Sequence, residues 1–217
     1  MNLLVKQLTP ELAEDYFDFF DNRAFSDNSP YYPCYCNAFN MSVERIRSEI
    51  IEQANANGGG KEGWKCALRK AAQSMVEKGE IQGYLAYDNG ISVGWCNAND
   101  KGSYYRFGEF NLDELPVDEE KVKDSSGEKV KSVVCFEIAP EYRGRGLATA
   151  LLQRVCEDAL QDGYEYVEAY PAIREEKEEL DFTGPVRLYE KIGFTRFEQR
   201  GQMLVMRKKL KKPFSLK

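Results

Sequence analysis

The run Val133-Val134-Cys135-Phe136-Glu137-Ile138-Ala139-Pro140-Glu141-Tyr142-Arg143-Gly144-Arg145-Gly146-Leu147-Ala148-Thr149 carries residue types suited to holding a phosphate. It reads as an apolar strand, a short turn and a glycine-punctuated helix start. A helix start presents unpaired backbone N–H groups and about half a positive charge, so it attracts anions. Gly144 and Gly146 have no Cβ to keep an anion off the backbone. Arg143 and Arg145 add charge to the same turn. The segment is built to hold a pyrophosphate. It is not a P-loop, because no Gly-Lys-Ser/Thr follows. Nor is it the dinucleotide fingerprint, because Thr149 stands where the third glycine belongs.

The chain has no histidine among its 217 residues. Ser-His-Asp and Cys-His mechanisms and the His-based zinc motifs are therefore excluded. A catalytic base must be Glu, Asp, Tyr, Lys, Cys or water. Of the cysteines, Cys96, Cys135 and Cys156 sit in apolar runs and read as free core thiols in a reducing compartment. Cys34-Tyr35-Cys36 is a lone Cys-x-Cys without the second pair that zinc spacing requires. Lining of a substrate pocket or plain packing fits it better, and a redox pair stays open. No metal is expected.

Hydrophobic residues make 42% and charged residues 30% of the chain, the balance of a soluble globular protein. A net charge of −6 argues against a nucleic-acid partner, which wants a basic face. No apolar run approaches the roughly 20 residues that span a bilayer, so no membrane partner is expected. The first eight residues turn polar too soon for a signal peptide. The expectation is a cytoplasmic single domain over 1–217, as a monomer or homodimer.

The elements that must position the turn can be read from periodicity. Residues 3–8 read as a strand. Thr9-Pro10-Glu11 starts a helix, with Thr9 as N-cap and an apolar face at Leu12, Tyr16, Phe19 and Phe20. Residues 21–41 form a loop rich in aromatics, suited to a substrate wall. Ser42 opens a second helix to about Ala54, and Lys61–Lys78 forms a third. Asp88-Asn89-Gly90 marks a hairpin between strands at 82–87 and 91–97. Residues 98–130 are a long polar connection with a turn at Asp124-Ser125-Ser126-Gly127, in which Tyr104 and Tyr105 could pack on the sheet. Strand 131–138 precedes a helix with a stripe at Leu147, Leu151, Val155 and Ala159, ended by Gly163. A strand at 164–170, a charged insertion at 171–184 with a short helix, a helix at 185–192 and a hairpin at 194–199 and 203–208 complete the order. Strands and helices in this order imply an α/β fold with a mixed sheet.

Arg143-Gly144-Arg145-Gly146-Leu147-Ala148 resembles motif A of the GNAT superfamily of N-acetyltransferases, Gln/Arg-x-x-Gly-x-Gly/Ala. Downstream, Arg187-Leu188-Tyr189-Glu190-Lys191-Ile192-Gly193-Phe194 is similar to the family's closing helix and Gly-Phe. The two matches fall in the family's order and cover mainly 82–209, with 21–79 as a helical block on the acceptor side. The resemblance implies an acyl-CoA N-acyltransferase fold whose fourth and fifth strands splay apart, with the pantetheine of acetyl-CoA in the gap. It implies contacts to that cosubstrate from Phe136, Ile138, Arg143, Gly144, Arg145, Gly146, Leu147, Ala148 and Thr149, with the Ile138 backbone N–H on the thioester carbonyl.

In this family an amine attacks the thioester directly. The amine must lose a proton, the oxyanion needs donors, and the leaving thiolate gains from an acid. By position Tyr189 is the acid: a phenol of reference pKa about 10 can donate to a thiolate near 8.5. Glu137 is the first candidate base, on the sheet face opposite Phe136 and Ile138. Glu168 is the second, and Glu168, Tyr170 and Trp95 are expected on the substrate side. One departure is plain: the family's CoA-contacting Asn after the fifth strand has no counterpart in Tyr170-Pro171-Ala172 or Thr183-Gly184-Pro185. The resemblance points to an N-acetyltransferase for a small primary amine. The rivals are a non-catalytic acyl-CoA-binding or sensing module and a protein or peptide N-acetyltransferase.

Overall fold

The structure, a computed structural model, describes residues 2–107, 120–122, 127–173 and 182–211. Most of the turn expected at 124–127, and most of the insertion where a short helix was expected, lie outside the described residues. Seven strands form one sheet in the order β1-β2-β3-β4-β5-β7-β6. They are β1 (Leu3–Gln7), β2 (Gly83–Asp88), β3 (Ile91–Asp100), β4 (Val130–Ile138), β5 (Tyr166–Ala169), β6 (Thr195–Arg200) and β7 (Met203–Lys209). Only β4 and β5 pair in parallel. A parallel pair needs a long crossover, and the helix α5 (Leu147–Gln161) supplies it. The mixed α/β sheet is the one the strand and helix order implies.

The helices before β2 are α1 (Ala13–Asn22), α2 (Val43–Arg45), α3 (Glu52–Ala56) and α4 (Gly60–Glu77). A wider π turn, Ile46–Ile51, joins α2 to α3. Ser42 caps α2 by accepting from the Arg45 N–H at 3.3 Å. Thr9 makes no such side-chain bond. Pro10–Leu12 instead form a 3-10 turn before α1, so the helix starts later than Thr9 suggests. The closing helix is α6 (Val186–Lys191).

Apolar side chains build a core on each sheet face. On one face α1, α4 and the 23–41 loop bury Tyr16, Phe20, Met75 and Trp95. On the other, the α5 stripe of Leu147, Leu151, Val155 and Ala159 packs with Tyr189. The aromatic loop is tied down by polar contacts. Asn97 Nδ2 donates to the Cys36 carbonyl at 2.9 Å, and Tyr104 Oη donates to Asn97 Oδ1 at 2.8 Å. Tyr16 Oη donates to the Tyr35 carbonyl.

Two irregularities of β4 position the site. Against β3, Asn97 faces Cys135 but Ala98 faces Val133, so Val134 is an extra residue. Such a bulge shifts the alternation of side chains. Val134 and Cys135 both belong to the core beneath α1 and α4, while Val133 and Phe136 belong to the core beneath α5. Against β5, β4 pairs only through Val130–Val133. Beyond that point the strands part, and Phe136 N donates to the Phe182 carbonyl at 2.7 Å.

Gly83 of β2 has no room for a side chain. A Cβ there would stand 2.1 Å from the Cys96 carbonyl oxygen and 2.5 Å from Trp95 Cη2. Gly83→Ala must displace backbone or the buried indole. Overpacking of this kind costs about 1–3 kcal/mol, and about 2–4 °C of Tm accompanies each kcal/mol in chains of this size. Thermal unfolding should show the loss; an unchanged Tm would mean that the strand pair yields freely.

Candidate active site

Two cavities meet at Glu137. The larger, about 580 Å³, is walled by α1, the aromatic loop, the π turn and α4, with β4 as its floor. Its lining includes Phe20, Tyr31, Ile50, Trp64, Cys135 and Glu137. The smaller, about 160 Å³, lies along the other edge of β4 toward α5 and α6. Phe136, Ile138, Arg143 and Ala148 line it, with Gly184 and Leu188 opposite. Tyr31, Glu137 and Phe182 line both.

Burial pushes the Glu137 carboxyl up to about 8. The Arg143 charge, the Arg143 hydrogen bond and the Ile138 amide pull the other way without cancelling it, and Asp27 adds to the rise. A carboxyl that changes charge near neutral pH in a cleft is suited to proton transfer. Arg143 is drawn toward this group. Its Nη2 lies 3.5 Å from Glu137, its Nε donates to the Ile138 carbonyl at 3.0 Å, and Nη1 pairs with Asp27.

The turn that follows keeps its backbone bare. Gly144 has φ 73° and Gly146 has φ 86°, both in the left-handed region, and a Cβ at either would meet open space. Gly146 is the N-cap of α5, and Leu147, Ala148 and Thr149 form the helix's first turn, where N–H groups have no intrahelical acceptor. Arg145 is exposed with its guanidinium 5.4 Å over the Tyr142 ring. These residues make a cradle for an anion.

Tyr189 is fully buried, and its hydroxyl donates to the Thr183 carbonyl. The 182–184 segment thus takes up both the Phe136 amide and the Tyr189 phenol. Neither cavity has Tyr189 in its lining.

Residues 80–196 match the family model described as Acetyltransferase (GNAT) domain. This chain belongs to the GNAT acetyltransferase family. Solved structures with the same fold include the GNAT domain of S. lividans PAT, at TM-score 0.52 and 15% identity over 95% of this chain and 89% of that one. A GNAT-family acetyltransferase from Streptococcus pneumoniae aligns at TM-score 0.50 and 18% identity, over 97% of this chain and 100% of that one. A chain of the NatC complex bound to Gag peptide and CoA aligns at TM-score 0.51 and 13% identity, over 97% and 100%. At these identities the likeness shows the GNAT fold alone. No curated protein sequence matches this chain closely enough to be counted.

Three residues expected on the substrate side of this GNAT chain stand elsewhere. Trp95 lies across from Glu137 in the sheet register, but it is buried against Tyr16, 5.0 Å between ring centroids, and lines neither cavity. Glu168 is buried in an ionic network: Arg207 Nε donates to it at 2.7 Å and Lys101 Nζ lies 3.0 Å away. Tyr170 joins that network, donating to Glu168 at 2.9 Å and stacking on Phe107 at 3.9 Å. With both oxygens of Glu168 engaged by cations, the structure does not bring it to Glu137. Cys34 and Cys36 do line the larger cavity, and Cys135 joins them. Cys135, read from the sequence as a core thiol, was missed as a wall residue, although its place two residues before Glu137 on one strand is the signal that could have found it. The Asp27–Arg143 pair and the 182–184 segment had no local signal.

The Glu137 shift has a stability signature. Its folded value lies above the ordinary carboxylate value of 4.5, so between 4.5 and about 8 the folded chain keeps a proton that the unfolded chain has lost. Stability from this group therefore falls as pH rises through that window. Glu137→Gln removes the penalty. Its Tm should exceed that of the unsubstituted protein by a margin that grows from the acid end of the window to the alkaline end, at roughly 2–4 °C per kcal/mol recovered. A margin independent of pH would show that Glu137 titrates as an ordinary carboxylate.

Proposed function

We propose that this GNAT protein moves an acetyl group from acetyl-CoA to the primary amine of a small molecule by direct attack. The observation that carries this reading is that the two cavities meet at a buried carboxyl, Glu137. The cosubstrate fits the anion cradle at 144–149, whose bare glycines and helix start suit a pyrophosphate. It also needs the edge of β4 that Phe136 now gives to Phe182. Acetyl-CoA supplies the activated acyl group. The chain's own residues orient it and handle protons.

Glu137 takes one proton from the acceptor ammonium, and the freed nitrogen forms the new C–N bond. Tyr189 donates to the departing sulfur once its hydroxyl leaves the Thr183 carbonyl. Of the two protons the ammonium loses, one goes to Glu137 and the second restores Tyr189. Arg143 holds Glu137 at the junction. The Ile138 N–H is the proposed donor to the thioester oxygen. Walls on several sides of the larger cavity favour a small acceptor over a peptide.

Proton transfer by a placed side chain contributes roughly 10²–10⁴-fold in rate. Tyr189→Phe should lower kcat within that range while leaving acetyl-CoA affinity close to unchanged. Glu137→Gln should do the same and also abolish a rise of kcat/KM with pH centred near 8. Calorimetric titration with acetyl-CoA and free-thiol release with amines read these out. Tight acetyl-CoA binding with no release from any amine would favour the sensing module instead. Full turnover in Tyr189→Phe would remove the acid assignment.

A further inference from the structure

The larger cavity has a chemical character of its own. Aromatic and aliphatic side chains make nearly all of its wall, with Phe20, Phe39 and Trp64 contributed by three separate segments and Ile46 and Ile50 by the π turn. Among the described residues Glu137 is the only carboxylate in the lining, which holds no lysine or arginine. Cys34 and Cys135 add thiols that stay neutral, Cys34 pushed up to about 12 by burial and Cys135 pushed up by its hydrogen bond to Cys36 and by burial. In spite of its burial, hydrogen bonds from Cys135 and Asn97 hold the Cys36 thiol below its ordinary value. The amide nitrogen of Asn37 is taken by the Leu68 carbonyl at 3.1 Å. At about 580 Å³ the space falls within the roughly 300–1,000 Å³ of small-ligand sites.

These features discriminate among amines. A polyamine buries second and third ammonium groups, and among its described residues the wall offers no carboxylate beyond Glu137. An amino acid brings a carboxylate that meets no cation. An amino sugar brings several hydroxyls, which the mostly apolar described wall meets with few partners beyond Tyr31, so each loses water at a cost. What remains is one ammonium on a body with no further charge.

We infer that the acceptor is a primary amine on an apolar body, an arylalkyl or branched alkyl amine, with its nitrogen at Glu137 and its body among Trp64, Phe39 and Ile50. The inference rests on the acetyltransferase reading for the reaction, but the binding it requires does not. The apolar body excludes water from the junction, which raises the effect of Glu137 on the ammonium. Trp64, half-buried on the α4 side of the wall, grips the body and sets specificity without touching the reacting atoms.

The test uses the full chain with acetyl-CoA and two sets of acceptors. Phenethylamine, tryptamine and isoamylamine form one set; spermidine, glucosamine, lysine and a peptide with a free N-terminus form the other. Apolar amines should be acetylated with kcat/KM at least about tenfold above every polar one. Trp64→Ala should raise the KM for phenethylamine about tenfold, more than it lowers kcat, with acetyl-CoA affinity unmoved. A polar amine turned over as well as phenethylamine overturns the apolar class and leaves the acetyltransferase reading standing. If acetyl-CoA binds but no amine reacts, the acetyltransferase reading fails. Calorimetric binding of phenethylamine in the presence of CoA then decides the inference alone: binding that Trp64→Ala weakens supports it, and no binding overturns it.

Discussion

The rest of the site depends on the parting of β4 from β5. β4 runs to Ile138 but has β5 beside it only through Val133. A central strand cannot leave its N–H groups without acceptors. In this structure the Phe182 carbonyl meets that need at Phe136, and the adjoining Thr183 carbonyl takes the Tyr189 hydroxyl. One short segment therefore stands on both of the groups that the proposed chemistry would turn toward acetyl-CoA.

The bulge at Val134 does a second job. It resets the alternation of β4, so that Cys135 and Glu137 face the helical block while Phe136 and Ile138 face α5. One strand then supplies the floor of the larger cavity and the edge of the smaller one. Glu137 sits where they join, desolvated by the apolar wall and opposed by Arg143. Apolar packing and acid–base character thus share a cause: the aromatic loop that encloses the larger cavity also removes water from Glu137.

Much of this was legible in the residues. The glycine-punctuated turn, the α5 stripe, the Asn89-Gly90 hairpin and the Tyr189 helix are local patterns, and all four are found where they were expected, though the hairpin's second strand runs three residues further, to Asp100. Phe136, Ile138, Arg143 and Ala148 gather along one groove, as motif and strand spacing imply. What escaped reading is long-range. Glu168 stood as a second candidate base because its partners, Arg207 and Lys101, come from β7 and from the turn after β3, far along the chain. Trp95 shares a face with Glu137, but the helix that covers it is set by packing from Tyr16 and Phe20. Nothing near Phe182 in the sequence announces that its carbonyl closes the gap in the sheet.

The most direct test of this account is hydrogen exchange across 182–189 and 143–149 in the full chain, with and without acetyl-CoA. If the cosubstrate displaces the segment, amides at 182–184 exchange faster on binding while those of the 143–149 turn become protected. Protection of both regions, or no change at 182–184, would mean that the segment stays on β4 and that acetyl-CoA does not use the gap between β4 and β5.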